Sequence, residues 1–197
     1  MKTRRPNVWQ WSALCLVLGL LAGVAGADST VKAPAGPDLA AVLDLPNVKV
    51  PFPGVVVGGQ PSAEHLRRAA ELGIELVVDL RAPGELEGRD EKTEVEALGL
   101  NYVQIPIAGR QAFDRAAAEK LAAALAGLED EAASSGETGP RVLVHCASGN
   151  RVGGLFALMA FYVDGRGADE ALAYGEQAGL RASLRPAIEE VLASAEP

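Results

Sequence analysis

The sequence predicts an α/β fold of three layers, in which a mostly parallel sheet of four to five strands is flanked by helices. Three observations predict it. Short apolar runs alternate four times with helical segments along the chain. Glycine follows most of the helical segments and ends them. A chain of 197 residues, 49% of them hydrophobic, is also long enough to bury a core without disulfides or metals.

Four short runs are predicted to be strands because they are apolar, mostly β-branched and bounded by turn residues. They are Val55–Val57, Ile74–Leu80, Tyr102–Ile107 and Arg141–His145. Since a helical segment separates each strand from the next, the strands are expected to run parallel to one another.

Six segments are predicted to be helices from apolar spacing, capping residues and terminal glycines. They are a helix capped by Ser62 and ending at Leu72, Asp90–Leu98, Asp114–Leu128, Asn150–Val163, Ala168–Ala178, and a last helix capped by Ser183 with Pro186 in its first turn. Helices on both faces of the sheet would bury the strands on both sides.

The amino-terminal segment, residues 1–27, is predicted to be a secretory signal peptide. Lys2, Arg4 and Arg5 precede an apolar run that ends in the A-x-A sequence of residues 25–27. An uncleaved membrane anchor is the alternative, but the apolar run is shorter than the roughly 20 residues that span a bilayer. We therefore expect a secreted or periplasmic protein with no stable membrane insertion after cleavage. Residues 28–53 are predicted to be a Pro/Ala-rich linker, and residues 54–197 a single domain.

Composition excludes several classes of function. Once the predicted leader is removed together with Cys15, one cysteine and two histidines remain, which are too few for a four-ligand zinc site of the Cys/His type. The net charge of -8 disfavours nucleic acid as a partner, because phosphate-backbone binding needs a basic face. Removal of the predicted leader takes three basic residues and no acidic ones, so the charge becomes -11. Cys146 is then the only thiol and cannot form an internal disulfide.

Cys146 lies where a parallel sheet usually places its chemistry, directly after a buried strand and before a helix. Backbone N–H groups in the turn, together with the positive end of the helix dipole, can surround an anion. Arg151 adds a permanently charged, planar fork for oxyanions, and these features favour a thiolate nucleophile at Cys146. Expected substrate-binding residues are His145, Ala147, Ser148, Gly149 and Asn150.

Other interpretations of these residues stay open from the sequence alone. Cys146 can be a small buried hydrophobic residue, and His145 can orient the loop through a ring hydrogen bond. Asp79 and Arg81 end a strand on the same side of the sheet, where they can line a pocket or form a structural ion pair. The segment from Arg81 to Arg89 and on to Glu91 is expected to be a solvated, charged loop.

The segment His145–Arg151 resembles the signature loop of the protein tyrosine phosphatase superfamily. The segments 58–62, 73–81, 84–85 and 102–106 also resemble its dual-specificity-like branch, and most closely the bacterial beta-lactamase-hydrolase-like phosphatase family. The resemblance covers about residues 55–180. It implies a phosphatase-type fold, a cysteine that forms a cysteinyl-phosphate, an arginine that holds phosphate oxygens, and an aspartate that protonates the leaving group. No metal or organic cofactor is needed for that chemistry.

Two features of this chain depart from the superfamily pattern. Arg151 follows Cys146 by five positions, whereas the phosphatase signature places the arginine six positions after the cysteine. Rhodanese-type sulfurtransferases have a similarly short loop, as does the beta-lactamase-hydrolase-like family. Where related enzymes carry the acid, this chain has Ala108 and Gly109. Asp114 is the nearest carboxylate and the candidate general acid, although an aspartate at a helix start is usually an N-cap.

The leading hypothesis is therefore an exported cysteine-dependent phosphatase that acts on a phosphate monoester of a protein or small molecule. The alternatives are a rhodanese-like sulfurtransferase or persulfide-handling protein, favoured by the short loop, and a non-catalytic module that binds an anion.

Overall fold

The computed structural model describes residues 43–85, 87–135 and 141–195, with the backbone alone for 127–135. The predicted signal peptide and the first part of the predicted linker, residues 28–42, lie outside the described residues.

Five strands form one sheet in the described part of the chain. They are β1 Lys49–Phe52, β2 Val55–Gly58, β3 Leu76–Asp79, β4 Asn101–Gln104 and β5 Val142–His145. Their spatial order is β1-β2-β5-β3-β4, and every neighbouring pair is parallel except β1 and β2, which are antiparallel. The prediction of a mostly parallel sheet is confirmed.

Six α-helices flank the sheet within the same ranges. They are α1 Ala63–Glu71, α2 Glu91–Ala97, α3 Arg115–Ser135, α4 Asn150–Tyr162, α5 Ala168–Gln177 and α6 Arg185–Ser194; a short 3-10 turn, Arg110–Ala112, precedes α3. Side chains of α1 and α2 belong to a core on one face of the sheet, and those of α3 to α6 to a larger core on the other. The molecule therefore has the three predicted layers.

The central strand β5 shows why both faces are covered. Val142 and Val144 point into the larger core, whereas Leu143 points into the smaller one, and all three are at most 1% exposed. Helix α4, which follows this strand, is apolar after Asn150 and Arg151, and its residues 152–160 are all buried. The strand before Cys146 and most of the helix after it are thus enclosed in the core.

Three sequence-based predictions differ from the structure at the edges of elements. Lys49–Phe52, which we placed in the linker, form strand β1 on an edge of the sheet. Helix α3 continues to Ser135, beyond the predicted Leu128. Ser183 does not cap the last helix, because its hydroxyl accepts a hydrogen bond from Asn150 and the cap position is Leu184.

No helix within the described ranges is both long and apolar enough to cross a membrane.

Candidate active site

Cys146 follows the central strand at the carboxyl edge of the sheet. Strand β5, which lies between β2 and β3, ends at His145, and helix α4 begins four residues after the cysteine, at Asn150. Cys146 is a free thiol and is 1% exposed. The strand and helix therefore hold the sulfur in the position that the sequence predicted.

Gly149 brings a hydrogen-bond donor to the sulfur. Its amide N–H donates to Sγ of Cys146 across 3.0 Å. This requires a left-handed backbone, with φ of 84°, which glycine adopts without steric cost. The first-turn amides of α4, including those of Asn150 and Arg151, have no partner within the helix and add to the positive end of its dipole. Negative charge at Cys146 is thus stabilised from the helix side.

Arg151 connects Cys146 to the open part of the site. Its guanidinium donates to both oxygens of Glu85, at 2.7 Å and 2.6 Å, and to the carbonyl oxygen of Ile107 at 2.9 Å. The hydrogen bond to Glu85, ahead of the interaction with Cys146, raises the pKa of Arg151. The arginine is therefore charged and is held in place by Glu85 and the Ile107 carbonyl.

Glu85 is exposed, as expected, but its carboxylate also lies in the site and is paired there. Besides Arg151, its carboxylate accepts a hydrogen bond from the backbone N–H of Ala82 at 2.7 Å. The hydrogen bond from Arg151 lowers the pKa of Glu85 against the opposing effect of partial burial. The carboxylate is thus ionised and takes two of the five N–H donors of Arg151, the predicted anion-binding residue.

The side chains of Ser148 and Asn150 are engaged by a neighbouring loop. Arg181 donates to the carbonyl oxygen of Ser148 at 2.8 Å and to its hydroxyl at 2.9 Å. Asn150 donates to Ser183 and accepts from the backbone N–H of Arg181. These contacts fix the shape of the loop. Ala147 and Gly149 take part through their backbones: the Ala147 carbonyl oxygen accepts from the Gln60 N–H, and the Gly149 N–H donates to Cys146. The sequence carried no local signal for Arg181, because it lies 33 positions from Ser148.

His145 does not face the site, contrary to its expected place among the substrate-binding residues. Its ring is 0% exposed, with Nε2 2.6 Å from Oε1 of Glu91, although the two atoms lack hydrogen-bond alignment. Glu91, also expected to be solvated, is 3% exposed. The histidine is therefore packed at the buried end of the strand, but neither ring nitrogen makes the hydrogen bond that the alternative interpretation expected.

Asp79 and Arg81 form a buried ion pair and do not line the pocket. Both Asp79 oxygens accept from the Arg81 guanidinium, at 2.9 Å and 2.7 Å, and Tyr102 donates a third hydrogen bond. Arg81 also donates to Glu91 at 3.0 Å. This network joins the end of β3 to Tyr102 of β4 and to the start of α2, next to strand β5, which precedes Cys146.

The same network includes a group of potential metal ligands, Asp79, Glu91 and His145, whose donor atoms lie within 4.8 Å of one another. The guanidinium of Arg81 already contacts both carboxylates. A cation among them would meet that charge at close range, so the residues present do not fit a metal ion.

Asp114 is an N-cap and does not line the site. Its carboxylate accepts from the backbone N–H of Ala117 at 2.7 Å, and its carbonyl oxygen accepts from Ala118 in the first turn of α3. The expectation that Asp114 is the general acid is therefore not supported by its position, since its side chain serves the helix.

A cleft of about 510 Å³ opens in front of Arg151. Its walls are mostly apolar and come from the β3–α2 and β4–α3 connections, the start of α4 and the residue that caps α6. They consist of Ala82, Glu85, Ile107, Ala108, Gly109, Arg110, Phe113, Arg151 and Leu184. Glu85 is the one carboxylate among these lining residues. The cleft thus offers an apolar surface beside two arginines and a single acid.

No family model and no curated protein matches the chain. Three solved structures align with it over most of their length. A DUF442 protein of Shewanella putrefaciens CN-32, assigned as a phosphatase, aligns at 19% identity with a TM-score of 0.54, over 78% of this chain and 97% of that one. TpbA of P. aeruginosa aligns at 20% identity with a TM-score of 0.56, over 77% and 86%. Tk-PTP in its active form aligns at 22% identity with a TM-score of 0.53, over 75% and 96%.

The chain has the fold of these phosphatases. The resemblance to the protein tyrosine phosphatase-like superfamily, which rested on a few short segments, is confirmed for the fold. Membership of one branch within the phosphatase fold stays a prediction.

Proposed function

We propose that this chain is a cysteine-dependent phosphatase that hydrolyses a phosphate monoester through a cysteinyl-phosphate intermediate. One observation carries the proposal: the sulfur of Cys146 receives the Gly149 amide at the start of α4 and interacts with Arg151, which also lines the cleft. A nucleophile and an oxyanion cradle therefore occur together, and Arg151 links them to an opening for substrate, although Cys146 is buried and does not itself line the cleft. The phosphatase fold of the solved structures supports the same activity.

The chemistry follows from these positions. The Cys146 thiolate attacks phosphorus, the S–P bond forms, and the bond from phosphorus to the leaving oxygen breaks. Arg151 and the loop amides hold the non-bridging oxygens, whose negative charge they stabilise in the transition state. Water then attacks phosphorus, the S–P bond breaks, and inorganic phosphate and the thiolate are released.

The test is hydrolysis of an aryl phosphate by the wild-type chain and by Cys146→Ser. Replacing the nucleophile should abolish turnover, while Ser194→Ala, a change on the exposed end of α6, should leave it unaltered. Equal rates for wild type and Cys146→Ser would refute the proposal. Binding of phosphate without any turnover by the wild type would instead support an anion-binding module.

The five-position spacing of Cys146 and Arg151 favours one competing function, a sulfurtransferase that carries a persulfide on Cys146. An assay with thiosulfate and cyanide distinguishes the two, together with intact mass after treatment with a sulfur donor. A stable persulfide on Cys146 and thiocyanate production, without hydrolysis of aryl phosphates, would favour the sulfurtransferase.

Export of the chain is a second part of the proposal, supported by the basic, apolar and A-x-A segments at the amino terminus. Expression in a bacterium followed by cell fractionation should place the protein outside the cytoplasm, with Asp28 as the first residue by mass spectrometry. A full-length chain that remains with the cytoplasmic fraction would contradict export.

A further inference from the structure

Arg181 carries a positive charge that no carboxylate pairs with. Among the arginines of the described ranges, all but Arg115 and Arg181 form an ion pair with an aspartate or glutamate. Arg115 packs over the ring of Tyr162, at the end of α4 that is remote from Cys146. Arg181 is exposed and belongs to the loop between α5 and α6, which contacts the start of α4. Its permanently charged guanidinium is therefore available to an anion from solution, close to the candidate site.

Most of the hydrogen-bonding capacity of Arg181 is unused. Its Nη2 atom donates to the carbonyl oxygen of Ser148 at 2.8 Å and to the hydroxyl oxygen at 2.9 Å. A guanidinium carries five N–H donors, and the Nε–H and both N–H groups of Nη1 have no partner among the described residues. The Ser148 hydroxyl accepts from Arg181 and keeps its own hydrogen for another acceptor. An anionic group can therefore bind here while the contacts between Arg181 and Ser148 persist.

Asn47 brings a further donor to the same place. Its side-chain amide donates to the same carbonyl oxygen of Ser148 at 3.2 Å, and its second amide N–H has no partner within the described ranges. Asn47 is exposed, as are Arg181 and Ser148. The three residues lie far apart in the sequence, yet their unused donors lie around one carbonyl group. We call this group, made of Arg181, Asn47 and the Ser148 hydroxyl, the Arg181 subsite.

The Arg181 subsite lies at the rim of the loop that carries the proposed oxyanion cradle. Ser148 comes two residues after Cys146 in this loop. A phosphate at Cys146 would be bound by amide N–H groups of the loop, whereas Arg181 and Asn47 bond to one of its carbonyl groups. The backbone N–H of Arg181 also donates to the side chain of Asn150 at 2.8 Å, which holds the subsite against the start of α4. The two anion positions are therefore adjacent but separate.

We propose that the Arg181 subsite binds a second anionic group of the substrate, beside the phosphate group at Cys146. The substrate is then a phosphate monoester with a further phosphate or carboxylate on the same molecule. This inference rests on the proposed phosphatase function. A second contact on a molecule already held at one end forms without the entropy loss of a separate binding event, so it raises affinity even though a single exposed ion pair is weak. The net charge of -8 repels anions in general, and the subsite offsets that repulsion only for esters that reach it.

Binding of non-hydrolysable phosphonates tests the subsite without any turnover. Calorimetry compares three series with chains from ethane to hexane: alkyl monophosphonates, ω-carboxyalkyl phosphonates and α,ω-bisphosphonates. At the chain length that spans the two positions, a second anionic group should raise the affinity of wild type by about five- to tenfold over the monophosphonate. The carboxylate and bisphosphonate series show which second group is preferred.

Variants of two neighbouring arginines assign this gain in affinity to its source. Arg181→Gln should abolish the gain, and Arg181→Lys, which keeps the charge without the planar fork, should keep part of it. The matched control is Arg185→Gln, which removes an arginine already paired with Glu176 and Glu189 and should keep the whole gain.

The gain in affinity, rather than the affinity itself, decides the inference, because Arg181 also holds the loop through Ser148. A purely structural role would weaken all three series by the same factor and leave the gain unchanged in Arg181→Gln, which would overturn the subsite. A gain no larger than the roughly twofold statistical factor of two equivalent ends, at every chain length and for both second groups, would overturn it as well.

Hydrolysis tests the substrate class separately. Wild type should hydrolyse the bisphosphate of a diol with a higher kcat/KM than the monophosphate of the same diol, and Arg181→Gln should lose that preference. Equal kcat/KM values in wild type would overturn the inference and leave the phosphatase function standing. Binding of phosphonates with the expected gain, but no hydrolysis of any phosphate ester, would overturn the phosphatase function and leave an anion-binding subsite.

Discussion

Gly149 has a left-handed backbone conformation, which turns its amide N–H toward Sγ of Cys146. Residues with a side chain adopt this conformation at a cost in strain. The φ of Gly149 is 84°, and a side chain there would start 3.4 Å from the backbone of Gly58. The conformation of the loop at Gly149 therefore decides whether its amide N–H reaches the sulfur of Cys146.

We predict that Gly149→Ala lowers both stability and turnover. The left-handed backbone should cost the alanine variant about 1–2 kcal/mol of unfolding free energy, and a shifted amide would no longer face the sulfur. Gly99→Ala is the matched control, because Gly99 has a φ of +77° at the end of α2 with nothing within 4 Å. It should lose similar stability in urea titrations and keep full aryl phosphatase activity. Equal activities of the two variants would contradict the role of Gly149.

At the residue scale, the sequence alone predicts those parts of the candidate site that lie in one continuous segment of the chain. The segment from His145 to Arg151 is continuous, so strand, turn and helix could be predicted together. Glu85 could not be assigned in the same way, because it lies 66 positions from Arg151 and its own neighbours are charged and turn-forming residues. Charged residues in such a stretch usually face solvent, and only the fold brings this one to the guanidinium.

At the scale of elements, close packing of α4 against the loop after α5 holds the start of α4 in place. A side chain at Gly153 would lie 1.9 Å from the backbone nitrogen of Leu180, and one at Gly175 would lie 2.6 Å from the carbonyl oxygen of Gly153. The two backbones therefore approach one another at a distance that only glycine permits. Arg181, the next residue of that loop, then reaches Ser148.

We predict that Gly153→Ala destabilises the protein by about 1–3 kcal/mol or more, because the added methyl group has to push two backbones apart. The gain in helix propensity from glycine to alanine, at most about 1 kcal/mol, is too small to offset this cost. Urea titration measures the change, with Gly167→Ser as control, since Gly167 has an ordinary φ and open space around it. A Gly153→Ala protein as stable as wild type would contradict the prediction, because it would mean that α4 can move away from α5 and the loop after it at little cost.

Most helices and central strands could be predicted, because their apolar spacing and terminal glycines are local signals. Strand β1 could not, since Pro51 and Pro53 flank Phe52 and suggest a linker. An edge strand tolerates proline because one side of its backbone needs no partner in the sheet. Ser183 was assigned as a cap because of its place before Pro186, whereas the fold turns its hydroxyl toward Asn150.

At the scale of the whole molecule, a buried polar network joins β3, β4, β5 and α2 behind the candidate site. Burial acts to raise the pKa of Asp79, but the hydrogen bonds from Arg81 and Tyr102 and the nearby His145 outweigh it, and the pKa is lowered. A carboxyl whose pKa is lower in the folded than in the unfolded state stabilises the fold above its unfolded pKa. That contribution is lost as pH falls through the folded value.

We predict that wild-type stability declines as pH falls below about 4, the ordinary pKa of an aspartate, and that Asp79→Asn declines less over this interval. At about pH 7 the variant should already be less stable by about 3–5 kcal/mol, because Arg81 loses its charged partner in a buried place. Urea titrations at about pH 7 and at a pH below about 4 measure both effects. The control is Glu96→Gln, which removes an exposed carboxylate 3.8 Å from Lys92 and should change stability by a few tenths of a kcal/mol. Parallel pH profiles for wild type and Asp79→Asn would contradict the assignment.

Strand β1 and the residues just before it limit how far the amino terminus of the protein can be truncated. Leu43 and Leu45 are 0% and 3% exposed, and the ring of Phe52 stacks on Tyr174 of α5 with 4.0 Å between ring centres. A protein that starts at Gly54, the first residue of the predicted domain, would expose the β2 edge and leave Tyr174 without its stacking partner. Unpaired strand edges promote association between chains. Recombinant versions that omit the leader should therefore begin upstream of Leu43, or the product will be prone to aggregate.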